Sequence, residues 1–142
     1  MKRIIFIIIA IAAVVGIAAY FSHFFNLSEI KPDDKDDLIV VVSPLENDQV
    51  SSPLSVAGRA RGQWFFEGSF PITLLDEYRN MIAEGHVTAQ GEWMTEDFVP
   101  FLGTLQFNNY IKGQPGILVL KKDNPSGLPE HDDSIEVPVI FK

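Results

Sequence analysis

"FPITLLDEYRNMIAEGHVTAQ", residues 70–90, decides the fold. Two periods compete in it. Leu74, Leu75, Tyr78 and Ile82 fall near a 3.6-residue repeat, the mark of a helix. On either side the period is two. Phe70, Ile72 and Leu74 take one face. Ala83, Gly85, Val87 and Ala89 share a face, with Glu84, His86, Thr88 and Gln90 opposite. Residues two apart in an extended chain lie on the same side. Between the two stretches, Asp76 to Asn80 supply turn formers. The stretch is therefore read as a hairpin, with strands at 70–76 and 82–90 joined through "EYRN".

The same texture extends both ways. "LIVVV" (38–42) is an apolar strand ended by Ser43-Pro44. "LSVAGRA" (54–60) sets Leu54, Val56, Gly58 and Ala60 against Ser55, Ala57 and Arg59. "FLGTLQF" (101–107) presents Phe101, Leu105 and Phe107 together, and "GILVLKK" (116–122) follows. In "SIEVPVIFK" (134–142), Ile135, Val137, Val139 and Phe141 form an inward row. Pro138 on the other face removes a ladder donor, which implies an edge strand or a bulge. Seven short strands separated by Pro, Gly, Asn and Asp predict an all-β sandwich.

The N-terminus differs. Residues 4–21 carry no charged or strongly polar side chain. As a helix they span about 27 Å at about 1.5 Å per residue, close to a hydrocarbon core of about 30 Å. Phe21, Phe24 and Phe25 extend the run, and Tyr20 suits an interface. Lys2 and Arg3 set the N-terminus in the cytoplasm and the rest outside. A cleaved signal peptide is the rival, but Gly16-Ile17-Ala18 is a weak cleavage site inside the apolar run. The expectation is a single-pass transmembrane signal anchor over 1–25. Residues 26–37, "NLSEIKPDDKDD", then form an acidic linker, and 38–142 the β domain. Asp33, Asp34, Asp36 and Asp37 match no calcium loop, and such charge runs are usually solvated. Asn26-Leu27-Ser28 matches a glycosylation acceptor almost on the membrane.

The chain has 142 residues and a formal net charge of -8. Lys2 and Arg3 precede any acid. The other nine of its 11 basic residues face all 19 acidic ones. An acidic domain is repelled by phosphate backbones, so no nucleic acid partner is expected. The lack of cysteine removes disulfides and thiolate chemistry.

"KKDNPSGLPEHDDSIEVPVIFK" (121–142) concentrates polar groups. Ser126, Ser134 and His131 do not make a triad, since consecutive residues in extended chain diverge and no G-x-S-x-G elbow occurs. Asp123, Glu130, Asp132 and Asp133 offer oxygens to calcium, but "DNPSGLPEHDD" does not fit its loop. Zinc would need more than His23, His86 and His131. The structural reading is preferred: Asn124-Pro125-Ser126-Gly127 is a β-turn, with Asp123, Asn124 and Asp132 capping backbone groups. No enzyme activity, metal or cofactor is expected.

"QWFFEGSFP" (63–71) and "GEWMTEDFVPF" (91–101) hold most of the aromatic mass, including Trp93, Met94 and Phe98. Most of it should be core. Yet Trp64, Phe65 and Phe66 cannot all face inward if extended, so Phe65 or a neighbour is expected at the surface. An exposed patch there would dock partners, with Arg59, Arg61 and Glu67 as its polar rim. An aromatic groove would favour a glycan, and a flat apolar strand edge a protein.

These stretches, with "SPLENDQVSSPLSVAGRARG" before them and "LVLKKDNPSGLPEHDD" after, resemble the immunoglobulin-like domain associated with bacterial spore-germination and sporulation proteins. The resemblance covers about residues 40–142. It implies an immunoglobulin-like β-sandwich outside the cytoplasm of a Gram-positive or related bacterium, and brings no activity, cofactor or ligand. In that family the domain often accompanies a second germination-type domain. Here it reads as one domain on an anchor. The expected function is a membrane-anchored scaffold or binding module of the envelope. Its partner is an envelope protein, or alternatively cell-wall glycan held by Trp64, Phe66 and Glu67.

Overall fold

A computed structural model of the chain describes residues 35–142. The anchor expected over 1–25 lies outside the described residues, as do residues 26–34 of the expected linker. Among the described residues no helix is long and apolar enough to cross a membrane.

Eight strands form: β1 (Ile39–Ser43), β2 (Asp48–Val50), β3 (Leu54–Arg61), β4 (Ser69–Asp76), β5 (Met81–Ala89), β6 (Phe98–Leu105), β7 (Pro115–Lys121) and β8 (Ser134–Phe141). All seven expected strands are present. Residues 70–90 are the β4–β5 hairpin, not a helix. The additional strand is β2, whose three residues are too few to show a period. Two single turns of 3-10 helix, Gly62–Trp64 and Pro129–His131, complete the elements.

Hydrogen bonding joins the strands in the order β1-β3-β6-β5-β4-β7-β8-β2. Every neighbour is antiparallel except β2 with β8. The two edges, β1 and β2, are also neighbours in sequence. The chain from Ser43 to Asp48 reaches at most about 18 Å. The sheet must therefore curl round until its edges nearly meet, with one set of side chains enclosed.

The alternation read from the sequence supplies that enclosed set. Val56 and Ala60 of β3, Phe70, Ile72 and Leu74 of β4, Val87 of β5, Phe101 and Leu105 of β6, Leu118 and Leu120 of β7 and Val139 and Phe141 of β8 pack as one core. Every buried side chain among the described residues is apolar. Burying each large one contributes about 1.5–3 kcal/mol.

Pro138 does not mark an edge. β8 lies between β7 and β2, which corrects that expectation. Phe141 donates its N–H to Gln114 and accepts from Gly113, so it faces β7. By alternation Pro138 faces the β2 side. There its carbonyl accepts the N–H of Asn47, but β2 pairs only from Asp48↔Val139 onward. The missing proline N–H thus falls just before that ladder begins.

Candidate binding cleft

The aromatic segment 63–70 does not build a surface patch. Trp64 is 0% exposed and Phe65 4%. Their rings meet Phe70 at 5.8 and 5.2 Å between centroids, and Phe70 meets Phe101 at 5.1 Å. Of the three consecutive aromatics only Phe66 has the expected exposure, because the segment is not extended. The 3-10 turn Gly62–Trp64 breaks the two-residue period, so two consecutive aromatics point inward. That turn needs a glycine at its start: a Cβ on Gly62 would stand 2.0 Å from the Thr95 carbonyl oxygen and 2.3 Å from that of Trp93. Phe66 alone remains at the surface, 41% exposed. Glu67 and Gly68 follow with φ of 50° and 75°. Both positive values, with mutual hydrogen bonds between Phe66 and Ser69, make a two-residue hairpin turn.

Arg59 and Arg61 come together on the outer face of β3, over one ring. Their guanidinium carbons lie 5.1 and 4.1 Å from the Phe98 centroid. Arg61 also donates to the carbonyls of Asp37 and Glu96 at 2.9 and 3.2 Å. It ties the start of β1 to the segment before β6. With Trp64 and Phe65 buried, the aromatic ring these arginines flank is that of Phe98.

The polar loop 121–134 is a turn network. Gly127 donates to the Asn124 carbonyl and takes φ of 65°, with Pro125 presetting the turn. The Asn124 amide donates to the Leu128 carbonyl at 2.8 Å and to Asp132 at 2.9 Å. That bond, then the charge of Lys121 at 3.7 Å, holds the Asp132 carboxyl below the usual range. Asp123 differs from the expected cap. It is tied down through its backbone N–H, which donates to the Trp64 carbonyl at 3.1 Å. Asp133 accepts from Ser134 N–H and pairs with Lys35. Ser126 stands 3.5 Å from His131 Nδ1, but its hydroxyl donates to Asn124 Oδ1 at 2.5 Å. The serine proton is thus engaged away from the histidine. Among the described residues, no three His, Asp or Glu side chains are grouped to hold a metal.

The concave site lies at the other end of β4, about 20 Å along the strand from Phe70. A cleft of about 440 Å³ opens between the tip of the β4–β5 hairpin and the β6–β7 connection. Asp76 builds the tip. Its carboxylate accepts the N–H groups of Tyr78 and Asn80 and the Asn80 side-chain amide, at 2.8–2.9 Å. The Asn80 side chain is the chief cause that keeps this carboxyl below its usual range. Arg79 closes the turn with φ of 66°. Tyr78 is left projecting, 77% exposed.

The opposite wall is pinned to the core. Tyr110 packs against Phe107 and Phe141 at 5.1 and 5.2 Å, and Phe141 exchanges backbone bonds with Gly113 and Gln114. Ile111, on that wall, is 70% exposed. The side chains of Asn108, Asn109 and Gln114 complete the lining and make no hydrogen bond within the described residues. Sequence reading missed this site. Tyr78 was absorbed into a turn, and "NNYIKGQ" (108–114) carries no period. Two apolar residues, Tyr110 and Ile111, inside a polar connection were the available signal.

In comparison with known proteins, residues 38–127 match the model of a family described as the immunoglobulin-like domain of bacterial spore germination. The match takes in β1 through β7, more than half of the chain. No curated protein and no solved structure matches it.

Proposed function

The chain belongs to the family of immunoglobulin-like domains of bacterial spore germination, and we propose on that premise that it is a binding module of the bacterial envelope. In this reading residues 1–25 hold it in the membrane, residues 26–37 are the stalk, and the β domain faces outward. The long uncharged run over residues 4–21 and Lys2-Arg3 before it support the orientation. The family supports a role in germination.

One observation carries the binding reading. Tyr78 and Ile111 stand exposed on facing walls of a cleft whose remaining lining is mostly amide and carboxylate. Exposed apolar side chains beside unengaged polar groups are the composition of a ligand site. The loop 121–134 uses its polar groups on itself, which leaves the cleft as the better candidate.

The test places a photo-crosslinking residue at position 78, and separately at position 66, in the full-length protein in its own membranes. Adducts to an envelope component from position 78 alone support the cleft. Adducts from position 66 alone overturn it. The mature N-terminus tests the anchor: a protein starting near Ala19 in mass spectrometry removes the membrane-bound reading.

A further inference from the structure

We infer that the cleft takes a glycan chain without negative charge, a class that includes N-acetylated or free amino sugars. The inference rests on the cleft being the ligand site. It is argued from the donor and acceptor inventory of the walls.

The amides of Asn108, Asn109 and Gln114 each carry both donors and an acceptor. A sugar hydroxyl also donates and accepts, so amide and hydroxyl satisfy each other in either direction. A sugar ring is apolar on its C–H face and polar around its rim. It therefore lies flat on an exposed ring such as Tyr78 while its hydroxyls reach the amides beside it. Ile111, opposite, offers a second apolar contact. The volume of about 440 Å³ falls within the range of about 300–1,000 Å³ typical of small-ligand sites.

Charge excludes the main envelope alternative. Asp76 and Glu77 line the cleft, and among the described residues none that line it is basic. Asp76 is held ionised by the amide and N–H groups of its own turn. A phosphate or carboxylate polymer entering here meets like charge in the lining itself, since the nearest basic residues in sequence, Arg79, Lys112 and Lys142, are not part of it. A neutral ligand meets acceptors, and an ammonium group meets attraction.

Geometry disfavours an extended peptide. Peptides that add to sheets need an unpaired edge. The edges here are β1 and β2. Of the strands nearest the cleft, β4, β7 and β8 each have two neighbours in the sheet, while β5 pairs with β6 only over Val87–Ala89; of its open stretch Met81–His86, only Ile82 lines the cleft.

The test uses the full-length protein in detergent micelles. The probes are a tetramer of N-acetylglucosamine, the corresponding glucosamine tetramer, and polyglutamate as an anionic control. Binding is read by calorimetry. Both glycans should bind and polyglutamate should not. Tyr78→Ala should weaken glycan binding tenfold or more, and Asn109→Ala several-fold. Phe66→Ser, at the other end of the domain, should leave it unchanged. Circular dichroism confirms that each variant is folded.

Glycan binding unaffected by Tyr78→Ala overturns the site. Preference for polyglutamate overturns the ligand class. If neither tetramer binds, while position 78 still crosslinks to an envelope component, the glycan assignment falls and the cleft survives as a site of other specificity. If both fail, the binding reading of the cleft falls with them.

Discussion

Arg79 and Glu136 are 57 residues apart in sequence and joined by two hydrogen bonds, Nη2 to Oε1 at 2.5 Å and Nη1 to Oε2 at 3.3 Å. The fork-on-fork geometry ties the tip of the β4–β5 hairpin to the outer face of β8. The tip is the part that carries Tyr78. The guanidinium holds the Glu136 carboxyl below its usual range, and Glu136 in turn raises Arg79. Both side chains are well exposed, at 58% and 44%, so the pair stabilises the fold only weakly. Its expected effect is on order at residues 77–80.

Glu136→Gln should therefore change the melting temperature little while loosening the tip. Backbone amide relaxation should show faster motion at 77–80 and nowhere else. About 1 M salt, where charges are screened beyond about 3 Å, should reproduce part of that effect in the unmodified protein. Rigid amides at 77–80 in the variant would mean that the Asp76 turn suffices alone.

The burial of Phe65 gives a second prediction. Removing a buried aromatic costs about 3–5 kcal/mol, and Phe65→Ser adds a hydroxyl to the void. That is a large share of a typical stability of about 5–15 kcal/mol. Phe65→Ser should lower the urea midpoint sharply or abolish folding. Phe66→Ser, one residue on, should cost well under half as much. Equal effects of the two would contradict the inward placement of Phe65.

These two residues also show where sequence reading stops. Phe70, Ile72, Leu74 and the row Ile135, Val137, Val139, Phe141 were legible because extended strands keep their period. Trp64 and Phe65 were not, because the single 3-10 turn that redirects them contains only three residues. It packs closely against 93–95, about thirty positions away in sequence, a contact that no local period encodes. The cleft escaped for a related reason. Its walls come from two connections that meet only once β4, β7 and β8 have paired. The turn at 124–127 was legible, since Pro125 and Gly127 state their own backbone angles. The roles of Asp123 and Asn124 depend on partners and were only half visible.

Acid should weaken the fold in a defined direction. Asp76, Asp132 and Glu136 all have carboxyl groups lowered from ordinary values of 3.8, 3.8 and 4.5. A depressed folded value means that the unfolded chain takes up protons first. The stabilisation is then complete above the ordinary values. It is lost as pH falls below them and through the lowered ones. Urea midpoints should be flat from neutral pH to about pH 5 and fall toward about pH 3. Asp76→Asn should start lower at neutral pH and fall less steeply. Parallel curves for the two proteins would show that Asp76 titrates alike folded and unfolded.

Gly62 is the residue on which the buried aromatic cluster depends. It opens the 3-10 turn that carries Trp64 inward, and backbone oxygens of Thr95 and Trp93 fill the space where a side chain would start. Backbone atoms cannot rotate away as a flexible side chain would. Gly62→Ala must push the 93–95 segment outward or unwind the turn. Overpacking of this kind costs about 1–3 kcal/mol, although alanine is otherwise the better residue in a helical turn. The indole of Trp64 reports the outcome directly. In the unmodified chain it is fully buried, so its emission should be blue-shifted and resistant to acrylamide. Trp93, partly exposed, contributes the quenchable fraction. Trp93→Phe removes that background. In the Trp93→Phe protein, Gly62→Ala should red-shift the remaining emission and raise its quenching, together with a lower urea midpoint. A lower midpoint with unchanged emission would place the strain in the 93–95 segment alone and leave the turn intact. An unchanged midpoint would contradict the tight packing of Gly62 against 93–95.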